Sequence, residues 1–292
     1  MRPHLLTLLG ISCSVALSAQ TPPRKFKLPN TLNEVSGLYI EQADTWWWHN
    51  DSGNSADLFT TNEQGKNLQR IPIPGLKNQD WEDLTVDKQG RIYIGEFGNN
   101  CHCRNNLKIY RYDPLSGAVD SILYHYEDQT AFPPTVGARN FNMEGFFWHR
   151  DSLHLFSKNQ RQTGNYVTKH YVLSDQPGQQ IAQVRDSLFL KRRVVTGAAI
   201  SKDGKKVALI AYNFKRLFGF IPISGASVFI LDNYPEGHFL QGSLSKIPIP
   251  PYVFTTQYES IDFWDQQTVY IASERTVFVK PRARRIRLPS SE

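Results

Sequence analysis

A four-residue pattern returns five times along this chain and constrains its fold more than any other feature. It is an apolar residue, then Ser, Thr or Glu, then a small or short polar residue, then the start of an apolar strand. The copies are Val35-Ser36-Gly37-Leu38, Trp81-Glu82-Asp83-Leu84, Met143-Glu144-Gly145-Phe146, Val195-Thr196-Gly197-Ala198 and Tyr258-Glu259-Ser260-Ile261. Successive copies lie 46, 62, 52 and 63 residues apart. That spacing suits a four-stranded blade of about 40–50 residues plus loop insertions. Between copies run short stretches rich in Val, Ile, Tyr, Phe and Trp, punctuated by Gly, Pro, Asn and Asp, and helix-period segments are nearly absent. The expected fold is all-β, a five-bladed β-propeller. A six-bladed ring is the alternative if a long interval hides a degenerate blade, whereas a sandwich would not need one motif at the start of every unit.

The repeats predict strands at 35–40, 46–49, 57–62 and 68–73, then 82–86, 91–96, 107–112 and 121–127. The third and fourth units read as 144–149, 153–157, 166–173 and 181–190, then 196–200, 206–212, 227–231 and 244–249. The fifth reads as 259–263, 268–273 and 276–280, its fourth strand coming from 285–288 or from the N-terminal 25–28. An N-terminal strand there would latch the ring and remove an open sheet edge.

The first strand of each blade lines the axis of a propeller, so Ser36, Glu82, Glu144, Thr196 and Glu259 are expected at one height around it. All five offer oxygen. Three carboxylates in a narrow tunnel repel one another, and removing each from water costs several kcal/mol. They escape by protonation or by holding a cation. A hard ion with six to eight oxygen ligands fits best, which is Ca²⁺; Mg²⁺ is second, and zinc lacks its His or Cys. The plainer reading is that these side chains only hydrogen-bond to neighbouring blades.

The second strand of each blade returns to the same face. Its rim collects Asp51, Asp80, Asn99, Lys158, Lys215 and Arg275. Asp51 and Asp80 are candidate catalytic groups that orient water, and Asn99, Lys158, Lys215 and Arg275 are candidates to hold an anionic, phosphorylated small molecule. Each could equally be a turn former or solvated loop residue. Trp46-Trp47-Trp48 is read as blade-interface filling before a ligand platform, and the basic run 280–287 as a solvated tail. No Gly-x-Ser-x-Gly elbow, Gly-rich phosphate loop or His-Glu-x-x-His pair occurs.

Residues 1–19 read as a secretory signal peptide: Arg2, an apolar run, then Ala-Leu-Ser-Ala at 16–19. Cys13 raises a lipoprotein anchor as a less favoured alternative. Residues 20–292 are then one exported domain, periplasmic or extracellular, with no transmembrane segment. Cys101-His102-Cys103 offers a tight disulfide, two free thiols, or a metal corner that lacks a second ligand pair. The net charge of +6 hints at anionic partners. Export argues against nucleic acid, and a monomer is expected.

Several of these segments resemble a family of exported bacterial β-propellers, those called SdiA-regulated or esterase-like-phytase-like. The residues carrying the resemblance are the Ser-Gly-Leu-Tyr start at 36–39, His49-Asn50-Asp51-Ser52-Gly53-Asn54, Asp80-Trp81-Glu82-Asp83, Gly95-Glu96-Phe97-Gly98-Asn99-Asn100 and Met143-Glu144-Gly145-Phe146. The ring is similar to that of the calcium-activated apyrases, five-bladed propellers that hydrolyse nucleoside di- and triphosphates around a central calcium. Their order Ser, Glu, Glu, Ser, Glu is matched by Ser36, Glu82, Glu144, Thr196 and Glu259, with Thr keeping the hydroxyl. The likeness implies fold and axial calcium; the apyrases' nucleotide-contacting segments have no counterpart here. The expected function is a calcium-dependent hydrolase of anionic small molecules, or else a non-catalytic binding module with a structural calcium. Lactone or ester hydrolysis ranks third, because it usually wants Asn and Asp around the metal.

Overall fold

Each copy of the motif opens the innermost strand of a four-stranded sheet. The computed structural model describes residues 22–158, 166–217, 221–250, 256–276 and 279–289, and no side chain within 214–217 or 221–224. The expected signal segment 1–19, with Cys13, lies outside the described residues. After β1 (Lys25–Lys27), the first unit is β2 (Val35–Gln42), β3 (Thr45–Asn50), β4 (Asp57–Thr61) and β5 (Gln69–Pro72). The second is β6 (Trp81–Val86), β7 (Ile92–Glu96), β8 (Lys108–Tyr112) and β9 (Val119–Tyr126). The third is β10 (Met143–His149), β11 (Ser152–Ser157), β12 (Val167–Ser174) and β13 (Gly178–Phe189). The fourth is β14 (Val194–Ile200), β15 (Lys206–Leu217), β16 (Ile221–Asp232) and β17 (Ser243–Ile249). The fifth is β18 (Tyr258–Asp265), β19 (Thr268–Ser273) and β20 (Arg282–Arg287), with β1 as its outermost strand.

The inner strands β2, β6, β10, β14 and β18 contact one another in cyclic order, and β18 returns to β2. The molecule is therefore an all-β propeller. The units approach closely at their inner edges. A Cβ on Gly145 would lie 2.6 Å from the backbone nitrogen of Ala198, so β10 and β14 meet there only because the residue is glycine. At the rim β13 pairs with β9 in parallel, which joins the second and third units into one eight-stranded sheet.

The pairing of every inner strand slips at the motif. The register shifts fall between Val35 and Gly37, Trp81 and Leu84, Met143 and Gly145, Val195 and Gly197, and Tyr258 and Ser260. Ser36, Glu82, Glu144, Thr196 and Glu259 thus all sit at β-bulges. A bulge adds a residue to one strand and re-aims its side chain. This gives the sequence repeat its physical meaning.

The fifth unit corrects the sequence reading. Its third strand is β20, not 276–280; Thr276 and Val279 instead hydrogen-bond to each other, the Thr276 N–H donating to the Val279 carbonyl at 2.9 Å. The basic run is not a tail. Ala283 and Ile286 bury on β20, while Arg282, Arg284 and Arg285 are half-exposed and Arg287 is exposed. The N-terminal latch forms as β1, held by Phe26 against Trp46 and Tyr270 at ring distances of 5.5 and 6.2 Å. Burying a side chain of that size contributes about 1.5–3 kcal/mol. Trp46 and Trp48 are fully buried, so they fill interfaces as the strand alternation implied.

Candidate functional site

Five further positions follow from the blade symmetry. They pair with the residue two before each motif residue and so form the next tier around the axis. Asp51 N–H donates to the Glu34 carbonyl at 2.7 Å, Gly98 to Asp80 at 3.1 Å, Lys158 to Asn142 at 2.8 Å and Glu274 to Gln257 at 3.2 Å. In the fourth unit Tyr212 pairs with Val194. The tier is therefore Asp51, Gly98, Lys158, Tyr212 and Glu274. Gly98 matters because it is empty: a Cβ there would lie 2.3 Å from Asp80 Cγ and from Glu82 Oε1. The missing side chain lets the Asp80 carboxylate fold in beside Glu82.

Asp51, Asp80 and Glu82 each place a carboxylate oxygen within 4.8 Å of the others. No hydrogen bond reaches the carboxylate of Asp80 or Glu82 among the described residues, and Asp51 accepts only the Ser52 N–H. The loop carrying Asp80 is fixed from below. Buried Glu96 accepts the N–H groups of Gln79 and Asp80 at 2.9 and 3.1 Å, and an Arg104 guanidinium N–H at 2.9 Å.

Electrostatics follow from burial and crowding. Burial pushes Asp51 up to about 6, with Glu144 and Asp80 adding to it. Burial raises Asp80, with Glu144 next, and holds Glu82 well above the usual carboxylate range, reinforced by Glu144 and Asp51. Glu259 is raised by burial and then by Glu274, which burial itself lifts to about 7. Lys158 Nζ donates to Glu144 Oε1 at 2.7 Å. Burial opposes its charge, but Glu144, Tyr212, Glu82 and Glu259 outweigh that and hold it protonated. Among the described residues, six carboxylates thus converge on one ammonium.

The sequence-derived residues divide. The Ser36 and Thr196 hydroxyls donate across blade boundaries to the carbonyls of Glu82 and Tyr258, the latter at 2.7 Å. Their lone pairs stay available, but the hydroxyls already serve the neighbouring blade. Glu144 is taken up by Lys158 and by Asn142 Nδ2 at 2.8 Å. Asn99 is buried, donating to the Phe141 carbonyl at 3.0 Å and accepting the Arg104 N–H at 3.0 Å, so it ties the second unit to the third. Arg275 is exposed and its backbone N–H donates to the Asn33 carbonyl. Lys215 lies within β15 rather than in a rim loop, and its side chain is outside the described residues. Cys101 and Cys103 form a disulfide. Glu274 and Gly98 were the residues to find: the symmetry that aligned Asp51 with Lys158 also selects both.

No protein-family model and no curated protein sequence matches this chain. Solved structures do match in fold, and they are β-propeller proteins. An alpha-L-arabinofuranosidase from Fusarium graminearum, solved with an iminosugar inhibitor, is 10% identical with a TM-score of 0.51, covering 91% of this chain and 98% of its own. An alpha-L-arabinanase from Penicillium chrysogenum, complexed with arabinobiose, is 9% identical with a TM-score of 0.46, covering 92% and 99%. A structural-genomics target provisionally called a gluconolactonase is 12% identical with a TM-score of 0.45, covering 88% and 77%. At such identities the likeness is one of fold.

Proposed function

We propose that this chain is an exported propeller, of the SdiA-regulated or esterase-like-phytase-like kind, that binds a hard divalent cation, Ca²⁺ first, at the acidic end of its axis and hydrolyses a small anionic molecule there. The observation that carries the reading is the meeting of Asp51, Asp80 and Glu82 within 4.8 Å. Raised carboxylates with no N–H donors on two of them are a cost to the fold unless a proton or a cation offsets it. The donor set fits a hard cation, because every nearby ligand atom is oxygen. Asp51, Asp80 and Glu82 would hold it, with the oxygens of Ser36, Glu144, Thr196 and Glu259 completing the surroundings. When bound, such an ion supplies Lewis acidity and positive charge for an anionic substrate.

The remaining chemistry belongs to side chains. Lys158 offers its ammonium to a substrate oxygen, as Lys and Arg do for phosphate and carboxylate. Glu274, near neutral in its proton affinity, is the group suited to take a proton from water. Asp51 and Asp80 shift in role from orienting water to holding the cation. The Cys101–Cys103 disulfide fits an oxidising compartment, which supports export.

A second reading is a binding module with a structural cation. It is favoured by the inward hydrogen bonds of Ser36, Thr196 and Glu144, which leave little of the deeper ring open. Phosphate release from a panel of nucleotides and sugar phosphates separates the two. The hydrolase predicts turnover with Ca²⁺ that stops in EGTA and falls at least about a hundredfold in Glu274→Gln. Cation binding without turnover on any substrate leaves the module.

A further inference from the structure

The loop between β7 and β8 carries the Cys101–Cys103 disulfide, with a single residue between its partners. Both cysteines are exposed, while His102 between them is fully buried. A cross-link stabilises a fold chiefly by restricting the unfolded chain, and the effect shrinks with the length of the loop it closes. A ring this short restricts little. Structural disulfides resist reduction by thiols, whereas exposed ones are the labile or catalytic kind.

The loop keeps its shape by other means. The His102 N–H donates to the Asn99 carbonyl at 2.8 Å, and the His102 carbonyl accepts Gln129 Nε2 at 3.1 Å. His102 Nδ1 accepts the Phe141 N–H at 3.1 Å. Burial, helped by Arg139, lowers the ring to about 4, so it stays neutral and keeps that acceptor. These bonds hold His102 at a φ of 54°, a left-handed backbone uncommon for residues other than glycine. On either side, Asn99 Nδ2 donates to the Phe141 carbonyl at 3.0 Å and Arg104 Nη2 to Glu96 at 2.9 Å. Cleaving the S–S bond therefore leaves the two cysteines side by side on a fixed backbone, ready to close again.

The two sulfurs have different surroundings. The Cys103 N–H donates to Cys101 Sγ at 3.2 Å, and Asn99 Oδ1 lies 3.5 Å from the same sulfur. A hydrogen bond to the charged form favours that form, so the N–H stabilises a thiolate on Cys101. Once protonated, the Cys101 thiol has Asn99 Oδ1 as its acceptor. Cys101 is accordingly the better leaving group, and Cys103 is the sulfur that an incoming thiolate attacks.

We propose that Cys101 and Cys103 form a thiol–disulfide exchange site that oxidises accessible dithiols, independently of any cation on the axis. A substrate thiolate attacks Cys103 Sγ. An S–S bond forms to the substrate, the Cys101–Cys103 bond breaks, and Cys101 Sγ leaves with the electron pair and takes up a proton. The substrate's second thiolate then attacks its own sulfur in the mixed disulfide and releases Cys103, which is protonated in turn. One dithiol loses two electrons and two protons and the protein disulfide gains them, so no other oxidant enters. His102 is a positioning residue that keeps the two sulfurs within reach of each other in both states.

The test equilibrates the folded full chain, in EGTA, with dithiothreitol or with mixtures of reduced and oxidised glutathione, then alkylates it and maps the thiols by peptide mass spectrometry. Dithiothreitol is expected to reduce the pair without denaturant. In the glutathione mixtures disulfide and dithiol are expected to coexist, each at about one tenth of the chain or more. Reduction is expected to lower the melting temperature by no more than about 5 °C. At neutral pH, iodoacetamide is expected to modify Cys101 in Cys103→Ser at least about threefold faster than Cys103 in Cys101→Ser. A disulfide untouched in every native buffer, a fold that melts on reduction, or a Cys101 thiol no more reactive than that of Cys103 would each overturn the proposal.

Discussion

The axis holds two groups of carboxylates, one buried and one partly buried, with opposite surroundings. Asp83 accepts N–H groups from Leu84 at 2.8 Å and from Phe146 of the next unit at 3.1 Å, and Asp262 accepts the Ile40 N–H at 2.6 Å. Burial raises both, Asp262 to about 7, yet their oxygens point at backbone donors that inner strands cannot satisfy among themselves. Asp51, Asp80 and Glu82 are raised too, but they face one another. Similar chemistry therefore builds a clasp between blades in one place and a cluster of mutually facing acids beside Lys158 in the other. The difference lies in the partners as well as in burial, since Asp51 and Asp80 are only half-buried.

The largest expected effect falls on the clasp. Asp83→Ala strands two buried N–H groups and is expected to cost about 3 kcal/mol in denaturant unfolding. Asp80→Asn in EGTA is expected to be neutral or slightly stabilising, because it removes repulsion. Equal losses at both positions would erase the distinction.

Gly98→Ala sharpens the same contrast. Its Cβ would strike Asp80 and Glu82. Overpacking of this kind costs about 1–3 kcal/mol, and calcium affinity measured by calorimetry is expected to drop at least about tenfold. Retained affinity would separate the cation from these two residues.

Dependence on pH comes next. Asp51 and Glu274 titrate near 6 and 7 in the folded chain, above their unfolded values. The folded state therefore holds more protons, and stability in EGTA is expected to fall as pH rises from about 4 to about 7. Asp262 contributes to that fall as well. Calcium is expected to restore only the part due to the facing acids, so melting curves with and without it should diverge as pH rises.

The smallest effect tests how far the ligand set extends. Thr196→Val removes the bond to the Tyr258 carbonyl and is expected to cost about 1 kcal/mol while leaving calcium affinity within about twofold. A larger loss of affinity would extend the ligand set to the whole motif ring.

Much of this was legible in the chain because the bulge demands the same local sequence five times. An apolar anchor, an oxygen-bearing residue and a short residue recur wherever an inner strand kinks, as at Glu144-Gly145 and Thr196-Gly197. The last blade was harder, since Ala283 and Ile286 are spaced irregularly among arginines and the true third strand looked like a solvated tail. At the rim, residue type says less: Asn99 hydrogen-bonds to backbone between two blades and Arg275 is exposed, a difference that sequence does not carry. Glu274 and Gly98 emerge only when the blades are aligned through their pairing.

Calcium titration of EGTA-stripped protein at neutral pH, beside Asp80→Asn, tests the central claim most directly. One ion per chain is predicted, with release of protons seen as a binding enthalpy that changes with the buffer, and with affinity lost in the variant. No binding, or binding that Asp80→Asn leaves unchanged, would contradict it.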